Sequence, residues 1–151
     1  MKFSKLIGLI GCVYCIQNLS AQKISEIEKS ELRKDKYGMT SYVFGLISNG
    51  ENRIADKDSL IKLQKLHLKN ILRLESEGKL VVAGPFYNTD TLRGIFVFNT
   101  DSISLAQEWL SSDPMVQCGH LKIDLYPWYS SATLQLIPKM HADIEETSIL
   151  E

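Results

Sequence analysis

LIKLQKLHLKNILRLESEGKLVVAGPF, residues 60–86, is the stretch whose reading decides the fold. Advancing about 100° per residue from Leu60 brings Leu60, Leu63, His67, Ile71 and Leu74 within about 60° of one another, which predicts a helix with one apolar stripe. Lys62, Lys65, Lys69 and Arg73 fall on the opposite side, where their charges stay in water. Asp58-Ser59 supplies capping side chains at the start and Gly78 a left-handed stop at the end. Lys79 to Pro85 then reads as a short strand buried on both sides, closed by a proline that cannot donate to a ladder. The unit is helix, tight turn, strand, with one imidazole at the centre of the helix's dry face.

Working outward, Thr40 to Ser48 alternates Tyr42, Phe44 and Leu46 with Val43, Gly45 and Ile47, a strand with apolar groups on both faces. Asn49-Gly50 ends it, and a polar loop holding Arg53 leads to the helix. On the far side, Tyr87 to Thr91 is turn chemistry and Leu92 to Asn99 a third strand, so the second and third strands form a hairpin. Phe96 and Phe98 point one way, Ile95 and Val97 the other. Asp101-Ser102 caps a second helix with an Ile103, Ala106, Trp109, Leu110 stripe, which Ser112-Asp113-Pro114 interrupts. Leu121, Ile123 and Leu125 alternate with His120, Lys122, Asp124 and Tyr126 in a fourth strand that runs out at Pro127-Trp128. The order βαββαβ predicts an α+β, ferredoxin-like domain: a four-stranded antiparallel sheet with two helices on one face.

That arrangement leaves the second face of the sheet uncovered. Three strands are apolar on both sides, and exposed Phe and Leu on a sheet are an aggregation hazard, so a cover is required. No third helix is expected, which points to a homodimer packed sheet to sheet. The mixed face of the fourth strand, including His120, is then expected to line the less dry part of the interface.

The ends differ in character. Met1-Lys2-Phe3-Ser4-Lys5 is a basic lead, Leu6 to Ile16 an uncharged apolar run, and Gln17 to Ala21 polar and small, the layout of an export signal cleaved after Ala21. The apolar run is too short to span a bilayer. A second reading takes Leu9-Ile10-Gly11-Cys12 as a lipoprotein box that would tether the protein through Cys12. Removal of residues 1–21 as a signal leaves Cys118 as the single cysteine, a small apolar residue rather than a nucleophile. Residues 22–39 form a charged linker, residues 40–129 the domain, and residues 130–151 a tail that either adds a strand to a neighbour or stays loose. The net charge of −1 offers nothing to nucleic acid or to an anionic membrane surface.

A lone histidine on an apolar stripe has an ordinary explanation, since many are neutral, bonded to one neighbour, and part of the packing. Other residues give it company. Gln64, His67, Asn70-Ile71, Glu77-Gly78-Lys79-Leu80, Ala83-Gly84-Pro85-Phe86, Leu92-Arg93-Gly94-Ile95-Phe96, Asp113-Pro114 and Pro127-Trp128, in this order and spacing, resemble the YciI-like (YCII-related) family. The resemblance runs from Ser41 to Trp128. It implies a dimeric α-β barrel of ferredoxin-like units and an active site built on a His and an Asp, which map to His67 and Asp113. A few similar proteins belong to aromatic degradation, one type resembling a dehydrochlorinase of hydroxylated rings. The signal and both extensions depart from the family pattern, and no role passes to His120.

A His-Asp pair serves proton transfer, because the carboxylate fixes the imidazole tautomer and stabilises the imidazolium formed on protonation. Asp113 before Pro114 also has the form of a helix N-cap, a role compatible with the other. Arg53 and Arg93 are candidates for holding an anionic group of a substrate, since a guanidinium matches a carboxylate at two points. Gly84-Pro85 is expected to shape the strand end so that a ligand or backbone approaches closely, and Tyr42 is a candidate for lining a pocket. No activated nucleophile, metal-ligand spacing or cofactor motif is apparent. The expected function is acid/base catalysis on a small aromatic or enolisable substrate by isomerisation, lactone opening or elimination. The alternatives are a dimeric small-ligand-binding domain and a purely structural His67.

Overall fold

Alternation in the first strand fixes the sheet. β1 (Met39–Asn49) buries Val43 and Ile47 on one face and Tyr42 on the other, and in the computed structural model, which describes residues 26–151, it lies inside a four-stranded antiparallel sheet. The expected export signal, the Cys12 lipoprotein box and the first part of the charged linker lie outside the described residues. A short helix, α1 (Glu26–Glu31), precedes Arg33, and Arg33 to Glu151 forms one compact unit. That unit continues with α2 (Lys57–Ser76), β2 (Leu80–Pro85), β3 (Leu92–Phe98), α3 (Ile103–Leu110), α4 (Pro114–Gln117), β4 (Leu121–Ser131), a 3-10 turn (Ala132–Leu136) and α5 (Ile137–Ala142). The sheet order is β2-β3-β1-β4, the α+β arrangement expected of a ferredoxin-like unit.

The two faces separate as the alternation predicts. Val43, Ile47, Phe96, Phe98 and Leu80 pack with Leu74 of α2 and with Ala106 and Leu110 of α3 in the main core. Each fully buried Phe or Leu contributes about 1.5–3 kcal/mol relative to exposure. On the second face Tyr42, Val81 and Val97 form a smaller cluster, flanked by Phe44, Val82 and Leu134.

Several local expectations change. α2 begins two residues early because the Asp56 carboxylate, rather than Asp58-Ser59, accepts from the Ser59 amide at 2.8 Å. Gly78 stops that helix with φ 68°, as expected. β2 is an edge strand, buried at Leu80 and Val81 and open at Ala83 and Pro85, so the run read as buried on both sides is half covered. β4 passes through Pro127-Trp128 to Ser131, pairing Trp128 with Tyr42 and Ser131 with Met39. As the other edge strand it has an unpaired side on which a missing N–H costs nothing, which is why Pro127 does not end it.

The tail folds against its own unit. Gln135 accepts from the Arg33 amide at 3.2 Å and donates to the Arg33 carbonyl at 2.9 Å, and the Tyr42 hydroxyl donates to Ser131 O at 3.0 Å. Leu134 sits beside the Tyr42 cluster, so the tail covers one end of the second face without adding a strand. Phe44 and Leu46 stay half-buried on that face, with Tyr126 and Trp128 exposed beside them.

Candidate functional site

His67 occupies the centre of the dry face of α2, 7 % exposed, its ring stacked against Phe96 at 6.1 Å between centroids. The interruption at Ser112-Asp113-Pro114 supplies its partner. Asp113 is wholly buried, and its two oxygens divide the roles that the sequence left side by side. Oδ1 accepts from the Met115 amide at 2.9 Å, which caps α4 with Pro114 at its first position. Oδ2 lies 2.6 Å from His67 Nδ1. A carboxylate only accepts, so Nδ1 carries the proton of the neutral ring and Nε2 holds the lone pair. Asn70, one helical turn from His67, donates to the same Oδ2 at a longer 3.4 Å. Its Oδ1 accepts from Arg73 Nη2 at 2.8 Å and from Ser112 Oγ at 3.0 Å, which ties α2 to the α3–α4 corner.

His67 forms part of the wall of an open cavity of about 1110 Å³ between α2, β2 and the tail. Arg53, Arg93, Gly84 and Pro85 line the same cavity, so four of the residues singled out for substrate binding come together with His67 there. Asp113 stands behind the imidazole rather than in the wall. Tyr42 is not brought to the site: the pleat turns it to the second face, where it packs with Val81 and Val97. The close backbone approach anticipated at Gly84 is real but depends on another glycine. A Cβ on Gly94 would lie 2.3 Å from the Gly84 carbonyl oxygen, whereas one on Gly84 would meet nothing within 4 Å. Ile137, His141, Glu145 and Ile149 of the tail complete the wall.

His120 also lines the cavity, contrary to the expectation that it faces the interface side with Lys122 and Tyr126. It precedes β4, and Gly119 with φ 73° turns the chain before the strand alternation begins. The loop after β1 clasps this turn. Gly50 N donates to His120 O at 2.9 Å, Asn52 N to Gly119 O at 3.0 Å, Asn52 Nδ2 to Cys118 O at 2.8 Å and Arg53 Nη1 to His120 O at 3.2 Å. Within the clasp the Ile54 amide donates to His120 Nδ1 at 3.1 Å. Burial first, and then the Arg53 and Arg93 guanidinium groups, hold His120 below the usual imidazole range. Sequence reasoning missed this residue because period-two alternation was extended one position too far. Asn70, three residues from His67 on the same helix, was the more legible omission.

Neither His67 Nε2 nor His120 Nε2 bonds to a described residue, and no described side-chain nitrogen or oxygen is buried without a partner. Both atoms are therefore solvent-accessible, on side chains that line the cavity. Among the described residues no three His, Cys, Asp or Glu converge to hold a metal ion, and no helix is long and apolar enough to cross a membrane. No curated protein matches the chain. The family profile described as the YCII-related domain does match, over residues 43–128, more than half of the chain, and the chain belongs to that family.

Proposed function

We propose that the protein is a cofactor-independent acid/base catalyst in which His67 Nε2 takes and returns a proton on a small enolisable or hydroxylated aromatic substrate. Isomerisation, lactone opening and elimination all lie within that chemistry. The observation that carries the reading is the 2.6 Å contact between Nδ1 and the buried Asp113 carboxylate, which leaves the other ring nitrogen as a base on the cavity wall. A histidine kept only for packing would not need an oriented carboxylate behind it and an accessible nitrogen in front.

The test is proton abstraction itself. A panel of small enolisable carboxylates and hydroxylated aromatics, incubated with the protein in deuterium oxide, is followed by NMR for deuterium entering at carbon. Exchange that disappears in His67→Asn supports the proposal. Binding without exchange by the unaltered protein, abolished in His67→Asn, would identify a ligand-binding domain instead.

We propose a homodimer through the second sheet face, supported by the half-buried Phe44 and Leu46 and the exposed Tyr126 and Trp128. A monomer mass independent of concentration in sedimentation would sink it. Export is proposed on the basic and apolar opening of the chain, and N-terminal sequencing of the mature protein distinguishes cleavage after Ala21 from lipidation at Cys12.

A further inference from the structure

Two imidazoles line one cavity, and their partners give them opposite faces. The Asp113 carboxylate can only accept, so His67 is protonated at Nδ1 and presents a lone pair at Nε2. The Ile54 amide can only donate, so His120 must accept at Nδ1 and, as a neutral ring, carries its proton at Nε2. One ring offers the cavity an acceptor and the other a donor. Neither assignment requires a ligand.

The two arginines of the wall add charge. Arg53 spends Nη1 on the His120 carbonyl and Arg93 spends Nε on Asn49 Oδ1, contacts that anchor each guanidinium and leave its other N–H groups unengaged by described residues. Among the described residues neither has a carboxylate within ion-pair distance, although Glu75, Glu145 and Glu151 line the same cavity. Both lie close enough to act electrically on His120. Protonating that ring would set a second N–H against the Ile54 amide, so the geometry favours a neutral donor.

We propose that His120 is a second catalytic residue, its Nε2–H held toward the substrate oxygen that gains charge as His67 removes a proton, while Arg53 and Arg93 hold a permanent carboxylate of the same molecule. The ligand class is then a small carboxylate that also carries an enolisable carbonyl or a phenolic ring. In the step, His67 Nε2 takes either the O–H proton of a phenol, leaving the pair on the oxygen that His120 meets, or the proton of the acidic C–H beside a carbonyl. The electron pair of that bond becomes the new C=C bond, and the carbonyl pair moves to oxygen, where the His120 donor meets it. Where a C=C bond adjoins that carbon, the oxygen pair moves back to re-form the C=O, the double bond shifts one place, and the proton of His67 goes to the far alkene carbon, an isomerisation with no oxidant and nothing lost. This inference rests on the acid/base reading of His67.

The experiment uses the full chain labelled with ¹⁵N, two-bond proton–nitrogen spectra of the histidine rings, and two probes, 4-hydroxybenzoate and its neutral analogue 4-hydroxybenzamide. His120 is expected to appear protonated at Nε2 and bare at Nδ1, and His67 the reverse. The carboxylate probe is expected to bind about tenfold or more tightly than the amide and to shift the His120 Nε2 signal, and Arg53→Gln or Arg93→Gln to remove about tenfold of that affinity. The ring signals of the variants report that the clasp is intact. A His120 protonated at Nδ1, equal binding of the two probes, or no binding of either overturns the proposal. A His67 protonated at Nε2 instead, with His120 as stated and the carboxylate preferred, would overturn the acid/base reading and with it the catalytic role of His120, leaving the donor and the anion site.

Discussion

Asp113 shows how much one side chain can carry. Its Oδ1 starts α4 and its Oδ2 orients His67, so Asp113→Asn keeps the volume while offering His67 an amide that can donate as well as accept. Turnover is expected to fall by about 10²–10⁴-fold in the deuterium-exchange assay, the range lost with general acid/base assistance. Asp113→Ala should in addition lose about 1 kcal/mol as the cap disappears, read in urea unfolding. His120 makes a separate prediction. Because its imidazole is held below the usual range, the unfolded chain takes up the proton first, near a pH of about 6.5. Stability from this residue is complete above that point and is lost as pH falls toward the folded-state value. Urea midpoints should therefore drop between neutral and mildly acidic pH, and His120→Gln should flatten that slope.

At the scale of elements, periodicity was informative wherever one face met the core. The Leu60, Leu63, His67, Ile71, Leu74 stripe and the split of Phe96 and Phe98 from Val97 were legible, because burial imposes a period on the sequence. Ends were less so. Asp56, Asp58 and Ser59 all stand near the start of α2 as acceptors, and the backbone geometry that selects Asp56 as the cap is not written in residue type. Pro127 read as a stop because sequence does not say which strand is at an edge. The glycines of the β2–β3 hairpin differ in the same way. Gly94→Ala is expected to cost about 1–3 kcal/mol, because its Cβ would press on the Gly84 carbonyl and part the strands, while Gly84→Ala should be nearly silent in thermal unfolding.

For the whole molecule, the sheet and its covering helices followed from the sequence, whereas the fate of residues 130–151 did not. The Leu134 patch gave no period to read, and the contacts that seat it, between Gln135 and Arg33 and between Tyr42 and Ser131, join positions far apart in the chain. Leu134→Ala should lower stability by about 1 kcal/mol for a half-buried leucine and make the tail cleavable by protease before the sheet unfolds. The His67–Asp113 pair was legible through resemblance, and the cavity only through the fold.

The composition of that cavity wall bears on inheritance. His67, Arg93 and His120 lie within residues 43–128, but Ile137, His141 and Glu145 lie beyond them. A relative could share the whole family segment, and with it the two imidazoles, while closing the cavity with a different sequence or leaving it open. Descent would then preserve the kind of chemistry and leave the choice of molecule to an appendage that evolves on its own account.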